Sequence, residues 1–405
     1  MNVRGRRVVL GVTGSIACFK AAQLCSTLVQ LGAEVDVILT GAAQKFITPL
    51  TFQSLTRRPV YTDLYDVLPD LSSAHVELGM RAEVVVVCPA SATTLSRLAA
   101  GSAEDMLSCT SLASTAPLVI APAMNVNMWN HPATQQNARV LRERGAVQVG
   151  PVEGRLAEGI SGMGRLAPLE DVLAGIRVAL GKPGSLAGRT VVVSAAGTHE
   201  PIDPVRFVGN RSSGKMGHAL AEVARDRGAR VVLVSGPSAL AAPWGIEMRR
   251  VETANELRDA VVAASDRADV LIMAAAVADF RPEAPAEHKI KKRNGSALEL
   301  RLVQNDDVLK TVHATYGDQL VKVGFAAESR NVVEEAARKL AAKGLHLICA
   351  NDVTEPGSGF GTDTNRVTLV DRRGVREELP LLSKDDVAEL ILDRVEKLLA
   401  ELRQA

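Results

Sequence analysis

Short continuous runs of Val, Ile and Leu alternate along the chain with longer stretches in which apolar residues recur at helical spacing. RVVLGV from Arg7, EVDVIL from Glu34, EVVVVC from Glu83 and PLVIAP from Pro117 make a first series. Strands apolar on both faces belong to sheets covered on both sides. Each run therefore predicts a buried parallel strand, and each intervening Ala- and Leu-rich stretch, such as Ala17–Leu31, predicts a crossover helix. The alternation restarts with RTVVVSAAG from Arg189 and continues through RVVLVSG from Arg230, DVLIMAAAV from Asp269, VKVGFAAE from Val321 and HLICAND from His346. Between the series an amphipathic helix, Leu169–Leu180, runs into GKPGSLAG, Gly181–Gly188, whose Gly, Pro and Ser mark a boundary. The pattern predicts an α/β protein of two doubly wound, mostly parallel, Rossmann-like domains over residues 1–180 and 189–405, with 181–188 as the linker. No short-period repeat is present.

The length of 405 residues suits two or three domains, each with its own core. Lys and Arg number 47 against 46 Asp and Glu, so there is no basic excess to follow a nucleic acid backbone, and small molecules are the expected partners. The five cysteines, Cys18, Cys25, Cys88, Cys109 and Cys349, form no C-x-x-C pair and lie mostly among apolar or small residues. That usage predicts reduced thiols and a cytoplasmic location. After Arg4, Arg6 and Arg7 the run VVLGV is too short for a signal peptide or a membrane span and reads as the first strand.

The stretches between strands carry the chemistry. EPIDPVRFVG followed by NRSSGKMG, Asn210–Gly217, sets two hydroxyls, a glycine and a lysine before a helix expected to begin near His218. Exposed N–H groups at a helix start suit phosphate oxygens, and Lys215 adds a mobile cation. The spacing is not that of a Walker A loop, and by itself it fits a plain helix cap with a solvated lysine equally well. In the first series, GVTGSIACFK offers Gly14 and Ser15 in a strand-to-helix turn, and CPASATTLSRLAAG offers Ser91, Thr93 and Thr94 after another buried strand. Two polar strand ends on one sheet suggest a ligand crevice. APAMNVNMWNHPAT contributes Asn125, otherwise a common turn former, and SSAHVELG contributes His75, otherwise an ordinary surface histidine. Neither half has G-x-G-x-x-G with a suitably placed acid, which disfavours a pair of NAD-binding domains.

Taken together, GVTGSIACFK, TGAAQKFITPLTF, SSAHVELG, CPASATTLSRLAAGSAEDML and APAMNVNMW resemble the flavin-dependent phosphopantothenoylcysteine decarboxylases. The second half, with EPIDPVRFVGNRSSGKMG, AAAVADFRP, HKIKKRNG, VGFAAES and LICANDV, is similar to the phosphopantothenate–cysteine ligases fused to them. The resemblance covers nearly the whole chain in the family's order. It implies a bifunctional coenzyme A biosynthesis enzyme that joins 4'-phosphopantothenate to cysteine at the expense of CTP, then decarboxylates the product with FMN. In the first half it implies FMN phosphate beside Gly14 and Ser15, flavin contacts at Thr40 and Ser91, and catalytic roles for His75 and Asn125. Thr93 and Thr94 stand where the family has Ala-Asn.

In the second half the resemblance implies triphosphate contacts at Ser212, Ser213, Gly214 and Lys215, and resolution of the acyl-cytidylate by Asn210. It gives Lys289, with Lys291 and Lys292 beside it, a role at the nucleotide, Asp279 a nucleotide or Mg²⁺ contact, and Phe325 a place near the base. His199 replaces the family's Arg and inherits no role. In LAEGISGMGR, Leu156–Arg165, Glu158 stands where many relatives have the cysteine that supplies the last proton. Glu158 reads either as a solvated loop residue at a permissive position or, where a flap closing over the flavin desolvates it, as that acid. The resemblance further implies a homo-oligomer, with trimeric decarboxylase and dimeric ligase contacts building a dodecamer. The alternative on the same scaffold is a flavin-binding regulatory protein with only the ligase half active.

Overall fold

The buried apolar runs become strands in a computed structural model that describes residues 3–65, 73–181, 184–291, 298–328, 331–352, 354–355, 357–359 and 361–402. The chain divides into two compact units, Met1–Lys182 and Pro183–Ala405.

In the first unit the order begins β1 (Arg7–Val12), α1 (Cys18–Gln30), β2 (Glu34–Leu39), α2 (Pro49–Thr56), β3 (Val60–Tyr61), α3 (Ala74–Arg81) and β4 (Val84–Ala90). It continues α4 (Ala92–Ala100), α5 (Met106–Ala113), β5 (Leu118–Pro122), α6 (Val126–Asn130), α7 (Pro132–Glu143) and β6 (Val147–Gln148). A hairpin, β7 (Val152–Arg155) with β8 (Ser161–Arg165), and α8 (Leu169–Leu180) complete it. Among the described residues, six strands form a sheet in the order β3-β2-β1-β4-β5-β6, with every neighbour pair parallel. Every residue of β4 is buried, as its unbroken apolar sequence requires. From β1 the chain winds outward to β2 and β3, then crosses back to β4, so the carboxyl ends of β1 and β4 flank a crevice at the switch point.

The second unit begins with residues 184–188, where Leu186 is buried in the core and its N–H donates to the Arg227 carbonyl at 2.9 Å. Then follow β9 (Thr190–Ala195), β10 (His199–Pro201), β11 (Phe207–Gly209), α9 (Lys215–Asp226), β12 (Arg230–Ser235), β13 (Glu247–Arg250) and α10 (Ala254–Ser265). Next come β14 (Val270–Met273), β15 (Phe280–Pro282), β16 (Leu302–Gln304), α11 (Val308–Tyr316), β17 (Val321–Glu328), α12 (Val332–Ala342) and β18 (Leu347–Asp352). The unit closes with β19 (Thr364–Asn365), β20 (Thr368–Asp371), β21 (Arg376–Glu378), β22 (Leu382–Ser383) and α13 (Lys384–Leu402). Its main sheet runs β13-β12-β9-β14-β17-β18-β20-β21, parallel from β13 to β18, with β20 and β21 added antiparallel. The switch point lies between β9 and β14. Val191, Val193, Val231, Ile272 and Val323 face one buried layer and Val192, Val232, Leu271 and Ile348 the other, so both faces are covered by helices. Helix α9 begins at Lys215, three residues before the position expected from sequence, which puts that lysine inside the first helical turn.

The amino ends of these strands hold a buried polar group. Lys322, with a fully buried side chain, donates to the carbonyls of Gly317 and Leu320, and its backbone N–H donates to His346 Nδ1 at 3.1 Å. Arg372 bonds Asp318 at 2.7 Å and the Gly344 and Leu345 carbonyls. That hydrogen bond leads in holding the Asp318 carboxyl down to about 2, while burial, with Arg372 and Lys322 nearby, lowers His346 to about 4. All five cysteines are free thiols, and burial pushes Cys25 and Cys88 up to about 12. Among the described residues no helix is long and apolar enough to cross a membrane.

Candidate functional site

In the first unit, local backbone demands gather the predicted residues at the sheet's carboxyl edge. A Cβ on Gly14 would stand 2.6 Å from the Cβ of Ala42, so only glycine lets the turn after β1 pass the turn after β2. Ser15 Oγ accepts the Ala17 N–H at 3.2 Å at the entrance to α1. On the neighbouring turn, the Thr40 hydroxyl accepts the Ala43 N–H at 3.3 Å, and the Thr40 N–H donates to the Val12 carbonyl at 3.1 Å. Ser91 caps α4, its Oγ taking the Thr94 N–H at 3.3 Å. Thr13, which sequence reasoning passed over, ties the two sides together: its buried hydroxyl donates to the Pro89 carbonyl at 2.6 Å and accepts the Ser91 N–H at 2.9 Å. A hydroxyl ending an apolar strand was the signal for it.

Asn125 caps α6 through Oδ1, which accepts the Asn127 N–H at 2.8 Å, leaving its amide nitrogen to donate to Glu158 Oε1 at 3.5 Å. The contact follows from the hairpin. Met124 donates to the Gly164 carbonyl at 3.0 Å, and a Cβ on Gly164, whose φ is +151°, would sit 2.3 Å from the Met124 carbonyl oxygen. The β7–β8 hairpin is thereby seated on the Asn125 turn, and its tip, closed by Leu156 and Ile160, carries Glu158. Glu158 is exposed here, so the expected desolvation is not present in this conformation. His75 is half-buried in the first turn of α3, which leads back antiparallel to β4 and so begins on the carboxyl side of the sheet. Among the described residues it makes no hydrogen bond to Asn125 or Glu158.

In the second unit a cavity of about 440 Å³ opens at the carboxyl ends of β14, β17 and β18, lined by Asn210, Ser212, Ser213, Gly214, Lys215, Asp279 and Phe325 among others. That volume is in the range of small-ligand sites. Asn210 donates from Nδ2 to the carbonyls of Ala276 at 3.1 Å and Val277 at 3.2 Å, fixing β11 over the turn that follows β14. The same turn is held by Thr198, whose hydroxyl accepts the Ala278 N–H at 3.0 Å, and by Asn305, whose amide donates to the Ala278 carbonyl at 2.8 Å. Ala196, at the end of β9, takes φ +65°, a conformation costly for a residue with a Cβ. Its carbonyl accepts the Ala276 N–H at 2.8 Å, so strain at one strand end is spent on joining two. Gly214 has φ +84° and turns the chain into α9, which packs so closely on β9 that a Cβ on Gly217 would lie 2.5 Å from that of Ala195.

Lys289 is not among the cavity's lining residues. It is exposed, on a segment anchored at its neighbour Ile290, whose N–H donates to Asp203 at 3.2 Å and whose carbonyl accepts from Arg206 at 2.9 Å. Asp203 is buried, which by itself would raise its carboxyl, but the N–H groups of Val205, Ile290 and Arg206 outweigh that and hold it below the ordinary range. Lys292 lies outside the described residues. Asp279 is exposed at the cavity, and among the described residues no group of three or more His, Cys, Asp or Glu could hold a metal ion. Thr198, Asn305, Lys339, Lys343, Asp363 and Lys384 were not selected from the sequence. The last four carry no motif of their own, whereas Asn305 stands in QNDDVL, a polar cluster at a helix start that could have been noticed.

Two family models match in tandem: the flavoprotein family over residues 1–181 and the DNA/pantothenate metabolism flavoprotein C-terminal domain over 186–399. Coenzyme A biosynthesis bifunctional protein CoaBC of Bacillus subtilis (strain 168) is 46% identical over 97% of this chain and 97% of its own length. The chain belongs to the coenzyme A biosynthesis bifunctional family. The protein of the same name from Mycobacterium tuberculosis (strain H37Rv) is 43% identical over 98% of this chain and 97% of its own. A solved C-terminal domain of a CoaBC protein is 40% identical, covering 54% of this chain and 99% of that one with a TM-score of 0.46. Family membership makes this chain a bifunctional enzyme, a phosphopantothenoylcysteine decarboxylase and a phosphopantothenate–cysteine ligase, and does not favour a flavin-binding regulator.

Proposed function

We propose that the C-terminal unit couples 4'-phosphopantothenate to cysteine with CTP and Mg²⁺, and that the N-terminal unit decarboxylates the product to 4'-phosphopantetheine with FMN. The observation that supports this most directly is that most of the described motif residues of each unit lie at the carboxyl edge of its own sheet, about the switch point where α/β sheets bind ligands.

In the ligase unit the carboxylate attacks the α-phosphorus of CTP, pyrophosphate leaves, and the cysteine amine attacks the acyl-cytidylate carbonyl and expels CMP. Ser212, Ser213, Gly214 and Lys215 receive the triphosphate at the head of α9, where N–H groups and the lysine meet its charge. Asn210 holds the reacting carbonyl above the Ala276–Val277 turn and Phe325 borders the base, while Lys289, exposed outside the cavity in this conformation, has to move toward the phosphates from the segment anchored at Ile290. Asp279 is one carboxylate beside a triphosphate able to supply most of a magnesium ion's oxygens, which fits a metal carried in by the nucleotide.

In the decarboxylase unit the turns at Gly14–Ser15, Thr40 and Ser91 fit the FMN phosphate and isoalloxazine edge, because the glycine leaves the backbone open where a Cβ would collide. FMN, when bound, takes up and returns the hydride at the cysteinyl end of the substrate. His75 moves the thiol proton, the Asn125 amide orients the carboxylate, and Glu158, already within reach of that amide, supplies the proton that completes reduction. The exposed Ile16, Phe19, Phe46, Met80 and Met128 support burial of this unit's surface in a homo-oligomer.

The purified chain should absorb as a flavoprotein and release pyrophosphate with CTP and 4'-phosphopantothenate, no more than one equivalent without cysteine and continuously with it, with carbon dioxide following. A well-folded chain that releases no pyrophosphate under those conditions removes the ligase reading, and one that binds no flavin removes the other.

A further inference from the structure

At the edge of the ligase cavity, bonded to its lining residue Lys215, stands a carboxylate that no motif marked. Lys215 Nζ donates to Asp363 Oδ1 at 2.6 Å and to the Gly361 carbonyl at 3.2 Å. A surface ion pair is commonly worth little, and the Asp363 side chain is 88% exposed. Its setting, however, is built rather than incidental. Lys384, the first residue of α13 and only 7% exposed, directs its ammonium to the carbonyls of Gly359, Thr362 and Thr364 and to the Thr362 hydroxyl. Its backbone N–H donates to the Asp363 carbonyl at 3.0 Å. Pairing of Thr364 and Asn365 with Ser383 and Leu382, and the Thr364 hydroxyl bond to the Gly357 carbonyl at 2.6 Å, fix the same turn. A buried ammonium satisfied by carbonyls holds those carbonyls where they are, since their loss would leave it unpaired. The turn is thereby kept at the head of α9 with one anionic group presented to Lys215, and Lys215, Gly361 and Lys384 all line the cavity.

We propose that Asp363 is an internal competitor for the phosphate end of the nucleotide: it holds the Lys215 ammonium when the cavity is empty, yields it to the incoming triphosphate, and takes it back as pyrophosphate departs. The proposal rests on the ligase reading above and adds a positioning residue to it. Pyrophosphate makes its strongest contacts with the same donors that hold the triphosphate, so an enzyme with no competing anion retains its product. An aspartate on a fixed turn supplies that competition without entering the reaction.

The test is titration of the full-length chain with magnesium pyrophosphate, and separately with CTP, in wild type, Asp363→Asn, Lys215→Met and the double variant. Asp363→Ser, which keeps a small polar side chain, serves as a second variant for loss of the charge. Asp363→Asn and Asp363→Ser are expected to tighten pyrophosphate binding about fivefold or more and to make pyrophosphate a correspondingly stronger inhibitor against CTP. In the Lys215→Met background the same change should have no effect. The proposal falls if Asp363→Asn leaves pyrophosphate affinity unchanged or weakens it, as a metal-binding carboxylate would, or if the tightening persists without Lys215. A folded wild-type chain that binds neither CTP nor pyrophosphate overturns the ligase reading and this proposal with it; binding of both, indifferent to Asp363, overturns this proposal alone.

Discussion

The two units use the same strand topology at their switch points but finish their sites differently. In the C-terminal unit the residues between strands fold back over the sheet: Asn210 is bonded to the turn after β14, Thr198 and Asn305 hold that turn, and Lys384 holds another, so one unit walls a cavity around most of the predicted residues. In the N-terminal unit the hydroxyls of Thr13, Thr40, Ser15 and Ser91 are used mainly to fasten strand ends and helix caps, and Glu158 stays exposed at a hairpin tip. Enclosure inside one chain requires extra loops, and among the described residues the C-terminal unit has them in 197–213, 274–291, 298–307 and 361–365. The contrast predicts that substitutions should act within their own unit, and that those in the N-terminal unit should affect late, closure-dependent steps.

The largest expected effect is at the anchored side chain. Asn210→Ala removes both bonds to the β14 turn, and ligation should fall by roughly a hundredfold through lost alignment of the reacting carbonyl, with acyl-cytidylate accumulating. Flavin content and decarboxylation of supplied phosphopantothenoylcysteine should be untouched; parallel loss of both activities would break the comparison.

Glu158→Gln comes next. It keeps the bulk and the contact with Asn125 but cannot donate a carboxyl proton, so flavin reoxidation in rapid-mixing spectra should slow about tenfold to a hundredfold while the first flavin reduction keeps its rate. Reoxidation at the wild-type rate, with the same saturated product, would show that another group is the acid.

Gly164→Ala separates seating of the hairpin from its chemistry. The added methyl meets the Met124 carbonyl oxygen in a conformation that favours glycine, at a cost of about 2 kcal/mol, so the hairpin should lose hydrogen-exchange protection and decarboxylation should fall with Glu158 intact. Ligation serves as the internal control.

The effect smallest at neutral pH sharpens the comparison from the far side of the C-terminal sheet. The unfolded imidazole takes up a proton near pH 6.5 and folded His346 only near 4, so the unfolded state binds more protons between those values and stability falls as pH drops through that window. Lys322, Arg372, His313 and Asp318 surround it, and Asp318, held at about 2 against an ordinary 3.8, extends the loss below pH 4. Thermal unfolding of the second unit should weaken by up to about 3 kcal/mol across the upper window, and His346→Gln, which keeps an acceptor for the Lys322 N–H, should flatten that slope.

Much of the fold was legible because an unbroken β-branched run has few places to go. β1 and β2 carry the bounds their sequences suggested, β9 lies inside the run read from Arg189, and α8 spans Leu169–Leu180 as its apolar spacing requires. The polar strand ends were legible for the same reason, since hydroxyl and glycine stretches after buried strands must lie at a sheet's carboxyl edge. The antiparallel β20 and β21 and the β7–β8 and β10–β11 hairpins were not, because short half-exposed strands leave a weak pattern and draw their stability from partners distant in sequence. Nor did sequence show that α9 starts at Lys215: Gly214 ends the turn by adopting positive φ, a choice made by close packing against β9. Local composition thus determined which segments are strands, helices and reactive turns. Tertiary structure alone decided that Glu158 meets Asn125, that Asp363 occupies Lys215 and that Lys289 stays outside the cavity, because each depends on how residues far apart in sequence are seated by backbone hydrogen bonds no single segment contains.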